Sequence, residues 1–233
     1  MYDKLLNYYQ KALSLMDYFH FNSHTTESVY KKYIRPNHST TLPITHLGIN
    51  DNRRKKSFDD ACIRLMFVGH ITAYKGFPIL KKTLQKLYNN QIRNWTLEVW
   101  GTVKKKDEDC PLIEFKGKYN NQDIKEIYPN IDLLIVPSVC KETFSFVTLE
   151  AISHGVPVLV SNNVGAKDIV AQYDNYFIYN DPKELYEKLE EILSDINKLV
   201  NYHQQILSNP WNHSMELHAN NVEELIYKKA LQI

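Results

Sequence analysis

The segment IDLLIVPSVCKETFSFVTLEAISHGVPVLVS, residues 131–161, contains the folding pattern of the chain in one piece. Its two ends, 131–137 and 157–161, are nearly continuous apolar runs, which are typical of strands buried on both faces. The middle, residues 141–155, has the composition of an apolar helix and ends at a glycine, a common helix terminator. A buried strand, a helix and a second buried strand predict a parallel strand–helix–strand unit.

The same alternation continues on both sides of this segment. Helical patterns lie between most of the apolar runs, and one of them begins after Gly76 with Pro78 in its first turn. A longer one begins at Asp181 and Pro182 and keeps its leucines and isoleucines on one face as far as Leu199. Strands are predicted at residues 62–68, 95–100, 112–117, 131–137, 157–161 and 176–179. Together these elements predict an α/β fold with a doubly wound, parallel, Rossmann-like sheet.

The part of the chain that precedes this pattern is organised differently. A helix is predicted at 2–16, a strand at 17–23, a second helix at 25–34 and an extended piece at 41–47. The polar, basic stretch that follows has no periodicity and is interpreted as a linker, either a solvated loop or a contact with an anionic membrane surface. We therefore expect an N-terminal part at 1–50, a linker at 51–60 and the main domain at 61–233.

Composition argues against several classes of protein. Twenty-eight basic and 27 acidic residues give a net charge of +1, so no global basic field favours nucleic acid. The three cysteines, Cys62, Cys110 and Cys140, are far apart, which argues against a disulfide framework or a zinc site. The N-terminus has no signal-peptide pattern and no run approaches about 20 apolar residues, so we expect a cytoplasmic protein.

One candidate anion site follows the first strand of the main domain. In a sheet of this type, ligands bind beyond the carboxyl ends of the strands. Gly69 allows a tight turn there, and Lys75 lies with Gly76 at the entrance to the next helix. Free amide groups and the helix dipole favour an anion, and a lysine adds a point charge suited to phosphate. From this segment alone, an ordinary exposed lysine is an open alternative.

Two glutamates, Glu142 and Glu150, flank a second helix start at the same edge of the sheet. The amide groups around residues 144–147 are expected to face the same crevice as Lys75, so that two helix starts converge on one anion. Glu150 falls in an apolar sector of its helix, where an unpaired carboxylate is costly. It is either a ligand for paired hydroxyls, such as those of a ribose, or a side chain that extends to the surface. Glu142 is either a second ligand for hydroxyls or an ordinary loop acid.

Several stretches, taken in order, carry a family resemblance. They are FVG at 67–69 with KG at 75–76, LEVWG at 97–101, IEFKGKYNNQDIKEIYPNIDLLIVPS at 113–138, KETFSFVTLEAISHGVPVLVS at 141–161, and NNVGAKDIV at 162–170 with Gly165. This set resembles the C-terminal, nucleotide-sugar-binding half of the retaining glycosyltransferases of family 4, which have the two-Rossmann GT-B fold. The resemblance covers roughly residues 60–233, and its most specific element is the pair Glu142 and Glu150.

The resemblance implies an enzyme that transfers a sugar, with retention and without a metal, from a nucleotide-diphosphate sugar to a saccharide or lipid-linked acceptor. It implies that Lys75 neutralises the diphosphate, that Glu150 binds the ribose and that Glu142 contacts the transferred sugar, with Lys75 and Glu142 as the catalytic residues. The segment 117–119 is expected along the nucleobase, and no cofactor besides the donor is expected. The expected donor-site residues are Gly69, His70, Lys75, Gly117, Lys118, Tyr119, Ser138, Glu142, Thr143, Phe144, Ser145, Phe146, Val147 and Glu150.

Two departures from the family pattern concern the donor site. His70 stands where the family usually has arginine, and Ser145 where it often has glycine. A neutral imidazole supplies one donor and little charge, so diphosphate binding is expected to be weaker or pH-dependent. A third departure is length, because residues 1–50 resemble only the tail of the family's N-terminal acceptor domain. The chain is thus expected to be a truncated product or one subunit of a split enzyme with a separate N-terminal partner.

Two further interpretations stay open. The chain is alternatively a catalytically silent, nucleotide-sugar-binding subunit of a split glycosyltransferase, or a related enzyme on the same fold, such as a nucleotide-sugar epimerase. The paired glutamates favour transfer over epimerisation. A lipid-linked acceptor implies a peripheral contact with the inner membrane surface.

Overall fold

The computed structural model of the chain describes residues 2–101, 105–106, 109–118 and 123–232. Its strands are β1 (Phe19–Phe21), β2 (Ser39–Thr41), β3 (Ile63–Val68), β4 (Trp95–Trp100), β5 (Lys105–Lys106), β6 (Ile113–Gly117), β7 (Leu133–Val136), β8 (Val158–Ser161) and β9 (Ile178–Tyr179). Its helices are α1 (Tyr2–Leu13), α2 (His24–Tyr30), α3 (Phe77–Asn89), α4 (Ile124–Ile127), α5 (Phe146–Ser153), α6 (Lys167–Val170), α7 (Pro182–Ser194), α8 (Asn197–Ser208), α9 (Met215–Val222) and α10 (Lys228–Ala230).

In the described part of the chain, seven strands form one sheet in the order β5-β6-β4-β3-β7-β8-β9. Neighbouring strands are parallel except β5 and β6, which are antiparallel. The chain runs outward from β3 through β4 to β6 and then returns to place β7 on the other side of β3. The strand order therefore reverses between β3 and β7, which is where such sheets bind ligands. The predicted α/β fold with a doubly wound, Rossmann-like sheet is confirmed.

The central strands explain the apolar runs of the sequence. β7 and β8 are buried at every position, as expected of parallel strands covered on both faces. β4 alternates instead, with Trp95, Leu97 and Val99 fully buried and the residues between them partly exposed. β3 and β7 are therefore held in the buried centre of the sheet. Their carboxyl ends fix the positions of the loops that follow them.

Two predicted elements of the main domain are wrong in extent, and an aspartate explains each. The long predicted helix is divided into α7 and α8 because Asp195 has an extended backbone (φ −138°, ψ 93°) and its carboxylate accepts the Asn197 amide at 3.1 Å. The strand predicted at 176–179 begins instead as a 3-10 turn, since the Asp174 carboxylate accepts the Tyr176 amide at 2.9 Å. In both places a short polar side chain bonds to nearby backbone and competes with the regular element.

The N-terminal part forms a second, smaller unit of the fold. β1 and β2 form a separate two-stranded parallel sheet, and α2 begins after Ser23, whose hydroxyl accepts the Thr26 amide at 3.1 Å. The extended piece predicted at 41–47 lies too far along the chain, since the observed strand is β2 (Ser39–Thr41). β2 ends before Pro43, which has no amide hydrogen to donate. The predicted helices are confirmed as α1 and α2, both shorter than predicted.

The basic stretch at 51–60 is attached to the main domain. Arg53 has 8% of its side chain exposed and donates to two carbonyl oxygens at the end of α8. Lys56 is 10% exposed and pairs with the buried carboxylate of Asp132 at 3.1 Å. Burial alone would raise the pKa of Asp132, but Arg64 and Lys56 together hold that pKa below its ordinary value. The interpretation of a solvated loop is therefore wrong for Arg53 and Lys56, because both side chains are largely buried and bonded to groups of the main domain.

Candidate functional site

Two loops meet where the strand order reverses. The loop after β3 leads to α3 and the loop after β7 leads to α5, and the Val139 amide of the second donates to the Tyr74 carbonyl oxygen of the first at 2.8 Å. Gly76 lies at this contact with φ +74°, and a side-chain carbon there would fall 1.7 Å from the carbonyl oxygen of Pro137. Only glycine fits this approach, which places Lys75 against the end of β7.

Lys75 and Glu142 form the charged centre of the site. Lys75 Nζ lies 2.8 Å from Glu142 Oε1, and the hydroxyl of Ser138 donates to the same oxygen. The Lys75 side chain is 35% exposed and the Glu142 side chain 13%, so the pair is partly shielded from water and its attraction is stronger than at an open surface. Lys75 is thus engaged with a carboxylate, unlike an ordinary exposed lysine, and Glu142 is the acceptor in this cluster rather than an isolated loop acid.

A third loop, the one after β8, fixes the backbone of Glu142. The Glu142 amide donates to the carbonyl oxygen of Asn163 at 3.0 Å, and the Gly165 amide donates to the carbonyl oxygen of Glu142 at 2.9 Å. A side-chain carbon at Gly165 would lie 2.1 Å from the carbonyl oxygen of Thr143, so this approach also requires glycine. The carboxylate is therefore positioned by loops from three adjacent strands, β3, β7 and β8.

The start of α5 lies beside this cluster. Ser145, the N-cap residue, has φ +127° and its side chain accepts no hydrogen bond from a backbone amide of the first turn, so the positive end of the helix dipole has no side-chain cap. Phe146 and Val147 of that first turn line the adjacent cavity. The helix starts later than predicted, because the carbonyl oxygen of Phe144 accepts the Ala166 amide and that residue lies ahead of the helix.

A cavity of about 350 Å³ opens between these elements, a size that suits a small ligand. It is lined by Phe67, Val68, Gly69, His70, Lys75, Gly101, Val136, Pro137, Ser138, Glu142, Ser145, Phe146 and Val147. The predicted donor-site residues in this lining are Gly69, His70, Lys75, Ser138, Glu142, Ser145, Phe146 and Val147. Those outside it are Gly117, Lys118, Thr143, Phe144 and Glu150. Tyr119, also predicted, lies outside the described residues.

Gly117 and Lys118 lie further out along the sheet. Gly117 ends β6 with φ +95° and accepts the amide of Gly101 at 2.8 Å, and Gly101 itself lines the cavity. Lys118 is exposed. The segment predicted along the nucleobase therefore begins next to the cavity, with Gly101 between them.

Glu150 lies on the next turn of α5 and is not among the residues that line the cavity. Its side chain is 14% exposed, the hydroxyl of Tyr128 donates to its Oε2 at 3.2 Å, and Nε2 of His46 lies 3.9 Å from its Oε1. Burial raises the pKa of Glu150, although Tyr128 and His46 act in the opposite direction. The carboxylate is thus held inside the protein, and the alternative that it extends to the surface is wrong.

Sequence reasoning misses Tyr128 and His46. Tyr128 is 1% exposed, and in sequence it has the pattern of a core aromatic residue. His46 lies between β2 and β3, and the fold alone brings it to α5. An isolated histidine in THLGIN carries no signal that distinguishes a site residue from any other polar residue in an extended segment.

The described ranges hold neither a cluster suited to a metal ion nor a helix that could span a membrane. No group of three or more His, Cys, Asp or Glu side chains that could hold a metal ion occurs among the described residues. None of the helices in the described part of the chain combines the length and apolarity that crossing a bilayer requires. The formally charged side chains among the described residues that line the cavity are Lys75 and Glu142.

Known glycosyltransferases are similar to this chain in sequence. Residues 48–206 match the family described as glycosyl transferases group 1. An uncharacterized glycosyltransferase of Methanocaldococcus jannaschii is 27% identical over 152 residues, which cover 61% of this chain and 39% of that protein. The chain spans 39 to 44% of the length of the curated relatives it matches.

Solved structures share the fold. Sucrose-phosphate synthase from Thermosynechococcus elongatus matches with a TM-score of 0.73 and 16% identity, over 99% of this chain and 62% of that one. HepE from Anabaena, solved in complex with UDP and glucose, matches with a TM-score of 0.71 and 16% identity, over 95% of this chain and 66% of that one. This likeness establishes the GT-B-type glycosyltransferase fold. Since the family match covers more than half of its residues, the chain belongs to the glycosyl transferases group 1 family.

Proposed function

We propose that the chain is the donor-binding part of a retaining, metal-independent glycosyltransferase of the family 4 type. Its donor is a nucleotide-diphosphate sugar, and its acceptor is a saccharide or a lipid-linked molecule. The observation that carries the proposal is the Lys75–Glu142 pair, held with Ser138 in one cavity with the uncapped start of α5. The likeness to HepE, whose structure contains UDP and glucose, supports a donor of this class.

The diphosphate is proposed to bind between Lys75 and the start of α5. A doubly charged group gains there from the ammonium and from the first-turn amides together. Lys75, now 2.8 Å from Glu142, would share its protons between that carboxylate and a phosphate oxygen. As the bond between the sugar and the diphosphate breaks, negative charge grows on the leaving group. Donors that are already in place therefore stabilise the transition state more than the ground state.

Glu142 is proposed to face the transferred sugar. Lys75 and Ser138 both contact its Oε1, and no described residue donates a hydrogen bond to its Oε2, so that oxygen is open to a ligand. A carboxylate beside the anomeric carbon stabilises the positive charge that develops there as the diphosphate leaves. Retention requires the acceptor oxygen to bond to that carbon on the face from which the diphosphate departs.

Glu150 is proposed to accept hydrogen bonds from the ribose hydroxyls. Tyr128 donates to its Oε2, and among the described residues no donor lies within hydrogen-bond distance of its Oε1. A buried carboxylate oxygen without a donor gains more from a ligand hydroxyl than an exposed one, because it has already lost its water. On this proposal the nucleoside lies beside Glu150 and the sugar lies near the loops that hold Glu142.

Calorimetric titration with UDP-, GDP- and ADP-sugars tests the proposal. We expect one of these donors to bind, and Lys75→Met and Glu150→Ala each to weaken its binding by about tenfold or more, since each removes a charged partner of the ligand. The control is Lys183→Met, which removes a lysine from an exposed ion pair with Glu187 on α7 and should leave the affinity unchanged. Absence of binding by every donor, or unchanged affinity in Glu150→Ala, contradicts the proposal.

The second candidate function is a catalytically silent donor-binding subunit. It is motivated by the likeness to a solved chain of the GtfA/B complex, which matches with a TM-score of 0.69 and 14% identity. In that case the chain binds the nucleotide sugar and a separate N-terminal partner supplies acceptor recognition. Transfer or hydrolysis of the donor by the isolated chain would exclude this candidate, whereas activity that appears only after a partner is added would support it.

A further inference from the structure

The segment between β2 and β3 places one side chain, His46, against the candidate site. His46 lies ahead of residues 48–206, which match the family. The Gly48 amide donates to His46 Nδ1 at 3.1 Å, and a side-chain carbon at Gly48 would lie only 3.0 Å from the ring. Glycine therefore makes room for the ring. Because the nitrogen that accepts this hydrogen bond carries no proton, the proton of the neutral imidazole is on Nε2.

The Nε2–H of His46 is directed at the acidic residue of α5. It lies 3.9 Å from Glu150 Oε1, and the ring meets Phe146 edge to face, with centroids 5.0 Å apart and planes at 74°. Phe146 in turn lines the cavity. A separation of 3.9 Å is longer than a hydrogen bond, so in the ligand-free chain the imidazole acts on the carboxylate electrostatically, without a direct hydrogen bond.

Tyr128 holds the other oxygen of the same carboxylate. Its hydroxyl donates to Glu150 Oε2 at 3.2 Å, and its ring stacks on His154 with centroids 5.3 Å apart. The carboxylate therefore lies between a tyrosine hydroxyl and an imidazole from different parts of the chain. Among the described residues, Oε1 accepts no hydrogen bond, so it is the oxygen left for a ligand.

We propose that His46 is a positioning residue for ribose recognition. With Nδ1 bound to the Gly48 amide and the ring against Phe146, it keeps Glu150 in one orientation in which Oε1 is open to the ribose hydroxyls. The inference rests on the proposed function, since it takes those hydroxyls to belong to a bound nucleotide. It also gives the segment ahead of the family match an indirect part in donor binding, through Glu150.

Nucleotides with and without ribose hydroxyls isolate this role. The affinity of the best-binding nucleoside diphosphate among UDP, GDP and ADP is measured beside that of its dideoxy form, which lacks both ribose hydroxyls. We expect His46→Leu to lose about three- to tenfold in affinity for the ribonucleotide, the size of one hydrogen bond, with the dideoxy form unaffected. A merely structural role would weaken both nucleotides alike.

Three further variants control the test. His46→Gln keeps an N–H donor and should recover part of the preference for the ribonucleotide, and His38→Leu, at an exposed histidine, should leave it unchanged. Gly48→Ala crowds the ring without removing it and repeats the test if His46→Leu does not fold. An unchanged preference in His46→Leu overturns this inference and leaves the proposed function standing. Failure of every nucleotide to bind the unaltered chain overturns both.

Discussion

Glu142 and Glu150 lie at the two ends of one short stretch of chain, yet their electrostatic settings differ. Glu142 is on a loop, 13% exposed, with an ammonium group at 2.8 Å. Glu150 is inside a helix, 14% exposed, and its nearest partners are a tyrosine hydroxyl at 3.2 Å and an imidazole nitrogen at 3.9 Å. The exposed fraction is nearly equal at the two positions, so the difference in electrostatic setting comes from the neighbouring groups. Burial by itself therefore does not tell what a buried acid is for.

The two carboxylates also differ in the free energy that their burial costs the folded protein. A buried carboxylate that has a cation beside it recovers much of the free energy lost on leaving water, whereas one that has a single hydroxyl donor within hydrogen-bond distance recovers less. Consistently, burial raises the pKa of Glu150 despite its two partners. A residue that weakens the free protein while keeping an acceptor oxygen open is expected where a ligand supplies the missing hydrogen bonds.

The largest expected effect on stability follows removal of Lys75, the cation beside Glu142. Lys75→Met leaves the carboxylate of Glu142 largely buried and without its counter-ion. We expect the free energy of unfolding to fall by about 1–3 kcal/mol, less than for a fully buried pair because Lys75 is partly exposed. The double variant Lys75→Met/Glu142→Gln should recover most of that loss, since no unpaired charge is left. Urea denaturation at neutral pH measures all three proteins.

The exposed pair of Lys183 and Glu187 on α7 supplies the control for this cycle. The same two substitutions there should change the free energy of unfolding by no more than about 0.5 kcal/mol, because both side chains are well hydrated. If the double variant at Lys75 and Glu142 is as unstable as Lys75→Met alone, the ion pair is not what stabilises the carboxylate. Glu142 then does not differ from Glu150 in depending on a charged partner.

Neutralising Glu150 is expected to raise the free energy of unfolding, whereas removing Lys75 lowers it. The pKa of Glu150 is raised above its ordinary value of 4.5, so the folded state holds the proton more tightly than the unfolded state. Its contribution to stability is complete below that ordinary value and is lost as the pH rises through the raised pKa. Glu150→Gln carries no charge, so at neutral pH it should be more stable than the unaltered chain.

Unfolding measured from acidic to neutral pH checks this sign. The stability difference between Glu150→Gln and the unaltered chain should shrink towards zero as the pH falls, whereas Glu187→Gln at an exposed position should show no such trend. The same Glu150→Gln protein should bind nucleotides more weakly. A variant that is less stable than the unaltered chain at neutral pH would mean that the ionised carboxylate is satisfied within the protein and is not kept open for a ligand.

The elements around the two glutamates could be predicted well because their signals are local. β7 and β8 are continuous apolar runs, and the glycines of KG and NNVGAKDIV mark the close approaches that the structure shows at Gly76 and Gly165. The meeting of Lys75 and Glu142 at one crevice was predicted from the family resemblance and from the rule that ligands bind at the carboxyl ends of strands, whereas the ion pair between them was not predicted. Short-range pattern and topology together thus reach the charged centre of the site.

The surroundings of Glu150 could not be predicted in the same way. His46 and Tyr128 reach it from segments far away in sequence, and neither has a periodic or motif signal that connects it with the helix. The same is true of Arg53 and Lys56, which look like solvated charges in sequence and are buried by contacts with α8 and Asp132. Long-range polar contacts depend on the assembled fold, so local composition carries no record of them.

The smallest expected effect lies between the two glutamates, at Ser145. Its φ of +127° is strained for any residue but glycine, and Ser145→Gly should relieve that strain. Two effects partly offset this gain: glycine has greater chain freedom in the unfolded state, and the 3.2 Å hydrogen bond from the Thr148 hydroxyl is lost. The free energy of unfolding should therefore rise by only about 0.5 kcal/mol. Ser214 is the matched control, since it is an N-cap serine with φ −68° whose hydroxyl accepts the Leu217 amide, and Ser214→Gly should lose a few tenths of a kcal/mol instead. Thermal unfolding compares the two variants, and if both are destabilised, the start of α5 is not strained and the serine there serves as an ordinary cap.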